Sequence, residues 1–221
     1  MRNELEILTK LYEEQKNEEN AEPMKKYMKD HFPFLGIKSP LRKELERQFF
    51  KETEILKEPF NKGFVLALWE KDEREYQYTA ITYIGKFIKN LQKEHMPFLE
   101  GLITTKSWWD SVDSIAPIVG EIAKRHPEVI EETINKWSVH DNMWLKRTAI
   151  LFQLKFKGQT SETILYQYIA KNAESKEFFI QKAIGWALRE YSKTNSASVK
   201  SFIEGNTLAP LSVREGSKYL S

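Results

Sequence analysis

Apolar residues recur along the chain at the spacing of an α-helix rather than a β-strand. Leu5, Leu8, Leu11 and Tyr12 share one face of a first helix whose opposite face is acidic. No segment shows the alternation that is typical of a strand or hairpin. The same spacing predicts later helices over residues 58–70, 73–90, 94–105, 108–125, 127–137, 141–156, 161–172, 176–193, 196–204 and 212–220. The pattern therefore predicts an all-α protein.

Three helix starts carry recognisable signals. Pro23 is expected to open the second helix, and Ser39 with Pro40 to open the third as N-cap and first-turn proline. Ser107 precedes Asp110 by three residues, the spacing of a capping box, which predicts a helix beginning at Trp108.

Residues that lie 34 positions apart are alike in polarity through five successive predicted helices. One register is polar, and the register five places later is apolar throughout. The polar set is Thr79, Asp113, Arg147, Gln181 and Glu215, and the apolar set is Ile84, Ile118, Phe152, Trp186 and Leu220. A period of about 34 with two helices per repeat predicts an α-solenoid over residues 1–221 as a single domain. The alternative is coincidence in an all-α chain rich in leucine and isoleucine.

Composition narrows the class of protein. The 221 residues include no cysteine, which excludes disulfides and thiolate chemistry. The four histidines lie far apart and no ligand pattern is present, so we expect no metal site. No apolar run approaches a membrane span, and the first residues lack the pattern of a signal peptide. We therefore expect a cytoplasmic protein with no membrane partner.

The net charge is positive in the second half of the chain and negative in the first. Residues 140–221 carry 12 lysines and arginines against 7 acidic residues, and residues 1–139 carry 22 against 25. In a solenoid, the cations near the polar register would line a concave basic face that suits a nucleic-acid duplex. These cations are Lys146, Lys182, Arg189, Arg214 and Lys218. The alternative is that they are ordinary solvated faces.

The candidate chemistry lies in the segment Thr105–Ser114. Asp113 sits inside the predicted helix, one turn after Trp109, so the indole and the carboxylate share a face. Charges are rarely buried without a partner, so this arrangement predicts that a cationic group binds next to Asp113 and Trp109. Arg147, one repeat later, is open to two interpretations: an ion pair with Asp113 or a phosphate contact, of which we favour the second.

The remaining tryptophans are interpreted as packing residues, because aromatic side chains at helical spacing usually lie in a core. This applies to Trp69, Trp108, Trp137 and Trp144. Trp186 belongs to the apolar register, so packing is also its default role.

Several segments together resemble the AlkD-type DNA alkylation repair proteins, glycosylases built from HEAT-like helical repeats. The resemblance covers nearly the whole chain. Its most specific parts are Ala21–Lys29, Phe34–Ile37, Lys106–Ile115, Ala149–Leu154 and Ser175–Trp186.

The resemblance implies a monofunctional DNA glycosylase that excises N3- and N7-alkylated purines from duplex DNA. We expect a monomer that needs no cofactor. It implies that Asp113 is catalytic and that Trp109 and Trp186 contact the sugar. It further places Arg147 on the DNA and Tyr27 near the lesion. The chain departs from the family in one respect: Lys38 stands where an uncharged polar residue is expected, which bears on the lesion-side strand contact.

The residues themselves are suited to that chemistry. A fixed carboxylate can stabilise positive charge on the sugar and position or deprotonate water, and an indole face favours the same cation. Two other hypotheses remain open at this point: a non-catalytic DNA-binding array of the same fold, and a HEAT-type scaffold for proteins. Trp109, Asp113 and Trp186 together favour the glycosylase, since a carboxylate facing DNA repels phosphate.

Overall fold

The computed structural model describes residues 2–220, which are all-helical and contain no β-strand. The chain forms two compact units, one on either side of the Asn90–Leu91 boundary. The prediction of an all-α protein is confirmed, and the fold is consistent with an α-solenoid. A single domain over residues 1–221 stays a prediction.

Among the described residues, the first unit contains five helices, and buried apolar side chains form its core. Leu8 and Tyr12, one turn apart, are fully buried, and the rings of Phe49 and Phe64 stack with their centroids 5.8 Å apart. The helices are α1 (Arg2–Glu13), α2 (Glu18–Tyr27), α3 (Ser39–Thr53), α4 (Lys62–Glu70) and α5 (Arg74–Lys86).

The second unit carries the candidate chemistry. Helix α9 contacts both α7 and α11, and α11 also packs against α12 and α13. The helices are α6 (Met96–Thr104), α7 (Trp109–Arg125), α8 (Asn135–Trp137), α9 (Met143–Leu151), α10 (Glu162–Lys171), α11 (Phe178–Ser192), α12 (Ser196–Gly205) and α13 (Pro210–Gly216). Short 3₁₀ helices occupy Lys93–His95, Lys157–Gln159 and Ser217–Tyr219, and a π-helical segment, Ile130–Ile134, leads into α8.

Two helix starts differ from the signals that predicted them. Asn17 accepts a hydrogen bond from the amide of Asn20 at 2.9 Å, so α2 starts before Pro23, which lies inside the helix. The prediction that Pro23 opens this helix was therefore wrong. Lys38, and not Ser39, occupies the N-cap of α3, although Pro40 stands in the first turn as predicted.

The connection between α2 and α3 is held by a buried carboxylate from α5. Glu75 accepts hydrogen bonds from the backbone amides of Leu35, Gly36 and Ile37 at 2.9–3.1 Å. Gly36 has a φ of +86°, and a Cβ there would lie 1.9 Å from the carbonyl oxygen of Asn17. This connection therefore leads into α3 with a fixed conformation.

Three of the five side chains of the polar register are buried. Thr79, Arg147 and Glu215 are buried, at 0, 4 and 7% exposure, and each has a polar partner. Within residues 2–220, no helix has the length and apolar character needed to span a bilayer.

Candidate functional site

The start of α7 differs from the predicted capping box. Trp108 occupies the N-cap with extended backbone (φ −157°, ψ 165°), and the Ser107 hydroxyl donates to the carbonyl of Ile103 at 2.6 Å. Ser107 therefore serves the end of α6, and the capping-box prediction was wrong. Asp110 lies in the first turn of α7, where the positive end of the helix dipole favours a carboxylate as expected.

Asp113 and Arg147 form a bidentate ion pair that joins α7 to α9. The Arg147 guanidinium donates from Nε to Oδ1 at 2.7 Å and from Nη2 to Oδ2 at 2.8 Å. Only 5% of the arginine side chain and 15% of the aspartate side chain are exposed. Of the two interpretations of Arg147, the ion pair is present in the structure. A phosphate contact of Arg147 in a complex with DNA stays a prediction. The planar fork of arginine matches both carboxylate oxygens, which explains the geometry.

Burial raises the pKa of Asp113 above its ordinary value of 3.8, while Arg147 opposes that shift by hydrogen bonding and by its charge. The nearby carboxylate of Asp110 adds to the upward shift. Asp113 therefore lies in a poorly solvated environment, and its ion pair with Arg147 favours the ionised carboxylate.

Arg147 also reaches α11 and an aromatic cluster. Its Nη1 donates to the backbone carbonyl of Phe179. The Phe179 ring lies 5.0 Å from Trp108 and 5.1 Å from Trp144, measured between ring centroids. Trp108 and Trp144 are half-buried and pack together, as predicted for packing residues; Trp69 and Trp137 are also buried. One guanidinium thus links three helices beside three aromatic rings.

Trp109 and Trp186 lie on the helices that this guanidinium connects. Trp109 begins α7, one turn before Asp113, and is half-buried. Trp186 is half-buried on α11, two turns after Phe179, and packs against the apolar cluster that includes Ile150 and Ile184. Arg147 thus connects the helices that carry both candidate sugar-contacting indoles, through Asp113 on α7 and the carbonyl of Phe179 on α11.

The predicted DNA-binding cations have different environments. Lys182 and Arg189 on α11 both pair with the buried Glu215 of α13, at 3.2 and 3.0 Å. Lys146 is half-buried on α9, and Arg214 is exposed on α13.

Tyr27 and Lys38 belong to the first unit. Tyr27, at the end of α2, is 68% exposed, and Lys38 is exposed at the N-cap of α3. Both therefore present surface, and their contact with DNA stays a prediction.

Two carboxylates that organise these regions were missed from the sequence. Glu215 appeared only as a member of the polar register, although Lys218 three residues later was a local signal for an ion pair. Glu75 had no local signal, because its three amide partners lie about 40 residues earlier in the chain. Among the described residues, no group of three or more His, Cys, Asp or Glu side chains is placed to hold a metal ion.

Comparison with known proteins identifies the family. A family model for DNA alkylation repair enzymes matches residues 8–220. A solved structure described as a predicted DNA alkylation repair enzyme from Enterococcus faecalis superposes with a TM-score of 0.86 at 38% identity, covering 93% of this chain and 97% of that one. The chain therefore belongs to the DNA alkylation repair enzyme family, and this membership supports a role in enzymatic alkylation repair.

A second structure, the smu.31 protein of Streptococcus mutans UA159, covers 83% of this chain and 97% of its own. At 18% identity and a TM-score of 0.61, it shows a shared fold alone. No functionally curated protein matches the chain.

Proposed function

We propose that this protein is a monofunctional DNA glycosylase that hydrolyses the N-glycosidic bond of cationic N3- and N7-alkylated purines in duplex DNA. The observation that carries the proposal is the carboxylate of Asp113, held by the Arg147 fork and still 15% exposed. Family membership supports the same assignment.

The chemistry needs little beyond that carboxylate. Alkylation at N3 or N7 gives the purine a positive charge, so the base departs without an enzyme acid. Positive charge then develops on the sugar, where Asp113 stabilises it electrostatically. The faces of Trp109 and Trp186 favour the same cation through their quadrupoles. Arg147 occupies one lone pair on each carboxylate oxygen, which leaves others for water or sugar.

Helix α7 offers no amine within one turn of Asp113, which supports direct hydrolysis. The only lysine of that helix is Lys124, about three turns after Asp113, and Lys106 precedes the helix with a φ of +48°. Schiff-base chemistry requires an amine next to the reacting sugar. We therefore expect that borohydride will trap no covalent protein–DNA adduct during base release. Recovery of such an adduct would contradict the hydrolytic mechanism.

We also infer a repeat of about 34 residues within a HEAT-like solenoid. Side-chain hydrogen bonds at this spacing support it, because they join Asp113 to Arg147 and Gln92 to His126. The Asn172 side chain likewise donates to the carbonyl of Ser138, 34 residues earlier. Such contacts are expected when each repeat packs against the next.

One observation favours a second candidate, a non-catalytic protein that binds DNA through the same fold. Both oxygens of Asp113 are engaged by Arg147, so the pair could serve only to fasten α7 to α9 and α11. In that case Asp113 would be important for folding and irrelevant to base release.

Single-turnover release of base from duplex DNA containing N7-methylguanine separates the two candidates. Asp113→Asn keeps the shape of the side chain and removes its charge. We expect a loss of about 10²–10³ in the rate constant, the magnitude typical of a lost electrostatic contact, with duplex binding retained. Glu46→Gln is the matched control, since Glu46 is a buried carboxylate 3.3 Å from Arg42 in the other unit. An undiminished rate in Asp113→Asn would favour the non-catalytic candidate.

A further inference from the structure

Three cations converge on one buried carboxylate at the contact of α11 with α13. Glu215, whose side chain is 9% exposed, lies 3.2 Å from Lys182, 3.0 Å from Arg189 and 2.9 Å from Lys218. The cation side chains remain 38, 26 and 48% exposed, respectively. The cluster therefore carries a surplus of two positive charges that solvent or a ligand can reach.

A single cation is enough to pair with one buried carboxylate, so the other two cations exceed what a structural ion pair requires. Two other carboxylates of the second unit, Glu121 and Glu190, each pair with a single lysine. Each lysine of the Glu215 cluster has three N–H donors and uses one toward Glu215, and Arg189 has five donors in a planar fork. N–H donors that do not bind Glu215 therefore remain on all three cations, and these cations surround the same carboxylate.

The close approach of the two helices depends on a glycine. A Cβ on Gly185 of α11 would lie 2.5 Å from the Cβ of Glu215 and 3.1 Å from the carbonyl of Ser212. The Ser212 hydroxyl in turn donates to the carbonyl of Gln181 at 2.9 Å. Gly185 thereby lets Glu215 sit against α11, between the two cations of that helix and Lys218 of the 3₁₀ helix that follows α13.

We propose that Lys182, Arg189 and Lys218, positioned by Glu215, form a binding site for a backbone phosphate of duplex DNA. The proposal rests on the proposed function for its ligand and assigns Glu215 as a positioning residue. A phosphodiester is an anion with several acceptor oxygens, and lysine and arginine side chains are its usual partners in protein–DNA complexes. Glu215 remains ionised over the working range, because Lys218 and then Lys182 lower its pKa to about 2.

The direction in which Glu215→Gln changes the affinity for DNA distinguishes two roles of Glu215. The carboxylate either positions the three cations or only cancels part of their charge. Glu215→Gln removes a negative charge, so simple electrostatics predicts tighter binding of DNA. If Glu215 positions the cations, the same change weakens binding to undamaged duplex by about tenfold, the equivalent of one charge-assisted hydrogen bond. The matched control is Glu190→Gln, which removes the same charge from a carboxylate that holds only Lys193, and it leaves binding equal or slightly tighter.

Two further sets of variants cover the case in which Glu215→Gln disturbs folding. Lys182→Gln and Lys218→Gln change exposed side chains, and each should lower the slope of log affinity against log salt by about 0.9. Gly185→Ala leaves the charge unchanged but displaces Glu215, so it should weaken binding. Gly101→Ala is its control, because a Cβ there meets nothing within 4 Å.

Fluorescence anisotropy with an undamaged duplex over a range of salt concentrations measures all of these effects. Tighter or unchanged binding in Glu215→Gln, with unchanged salt slopes in both lysine variants, would overturn the phosphate site. Because this assay involves no chemistry, its outcome is independent of base release. A protein that binds through the cluster but releases no methylated base keeps this inference and loses the proposed function.

Discussion

Arg147 makes three hydrogen bonds that join helices α7, α9 and α11. Two go to Asp113 and one to the carbonyl of Phe179, so its guanidinium has little surface left for another partner. A buried pair of this kind is costly to break from one side, because the remaining charge is left without compensation. The residue thus serves the site by holding Asp113.

A double-mutant cycle tests this role. We expect Arg147→Gln to lower the free energy of unfolding by roughly 3–5 kcal/mol, the range for a buried pair that loses one partner. Combining it with Asp113→Asn should recover part of that loss, since no charge is then left unpaired. Urea denaturation of the four proteins measures both effects.

The salt dependence of DNA binding by Arg147→Gln shows whether Arg147 stays in its ion pair with Asp113 when DNA is bound. If Arg147 stays in the ion pair, the slope of Arg147→Gln equals that of the wild type. A slope smaller by about 0.9 would instead show that Arg147 reaches a phosphate in the complex.

The pH dependence of base release should report the burial of Asp113. Since the pKa of its carboxylate is raised, the catalysed rate should fall with decreasing pH through a value above 3.8. Arg147→Gln removes an interaction that lowers this pKa, so the acidic limb should move to higher pH. Single-turnover rates, corrected for spontaneous depurination, measure the limb.

The melting temperature distinguishes acid unfolding from the effect of Asp113 titration on the rate of base release. A carboxyl group whose pKa is higher in the folded than in the unfolded protein binds protons more tightly when folded. Protonation of Asp113 therefore stabilises the fold, and the stability that it contributes is lost as pH rises through the raised pKa. A rate that falls in acid together with the melting temperature would point to unfolding through other groups.

At the scale of elements, periodicity predicted the helices well and their starts less well. The predicted range 108–125 compares with Trp109–Arg125 in the structure, and 196–204 with Ser196–Gly205. The errors at Pro23 and Ser107 have one cause: a capping pattern shows which residue could cap, and the tertiary environment determines which one does. Ser107 was the right residue type, with its hydroxyl directed to the preceding helix.

The connection before α3 is another feature that local sequence could not reveal. Its conformation depends on amides bound by Glu75 and on contact with Asn17, both distant in sequence from Gly36. A positive φ at a glycine is compatible with many turns, so the pattern alone predicts only a break between helices.

Gly36→Ala should show how much this connection matters. The new Cβ would collide with the carbonyl of Asn17 and would occupy a positive φ, so we expect a loss of roughly 2 kcal/mol or more in unfolding free energy. Gly158→Ala is the control, since its Cβ would meet nothing within 4 Å. Equal stability of the two variants would contradict the close packing at Gly36.

At the scale of the whole molecule, the basic second half suggested a polyanion partner, and the family supports DNA as that partner. The sequence placed Lys182 and Arg189 correctly on α11 but could not show that both are drawn to Glu215. The separation of the charges in sequence, 33 residues for Lys182 and 26 for Arg189, hides their proximity in the fold. Candidate residues were thus predictable, and their pairing was not.

The range of lesions released is the broadest test of the mechanism. If Asp113 acts only by stabilising charge on the sugar, the departing base must carry its own positive charge. N7-methylguanine and N3-methyladenine should therefore be released, and neutral uracil and hypoxanthine should remain, because no general acid is proposed at the site. Single-turnover assays with each lesion in the same duplex context, alongside Asp113→Asn, measure the difference. Efficient release of uracil by the wild-type protein would require an acid that protonates the base and would contradict the mechanism, even if Asp113→Asn were inactive.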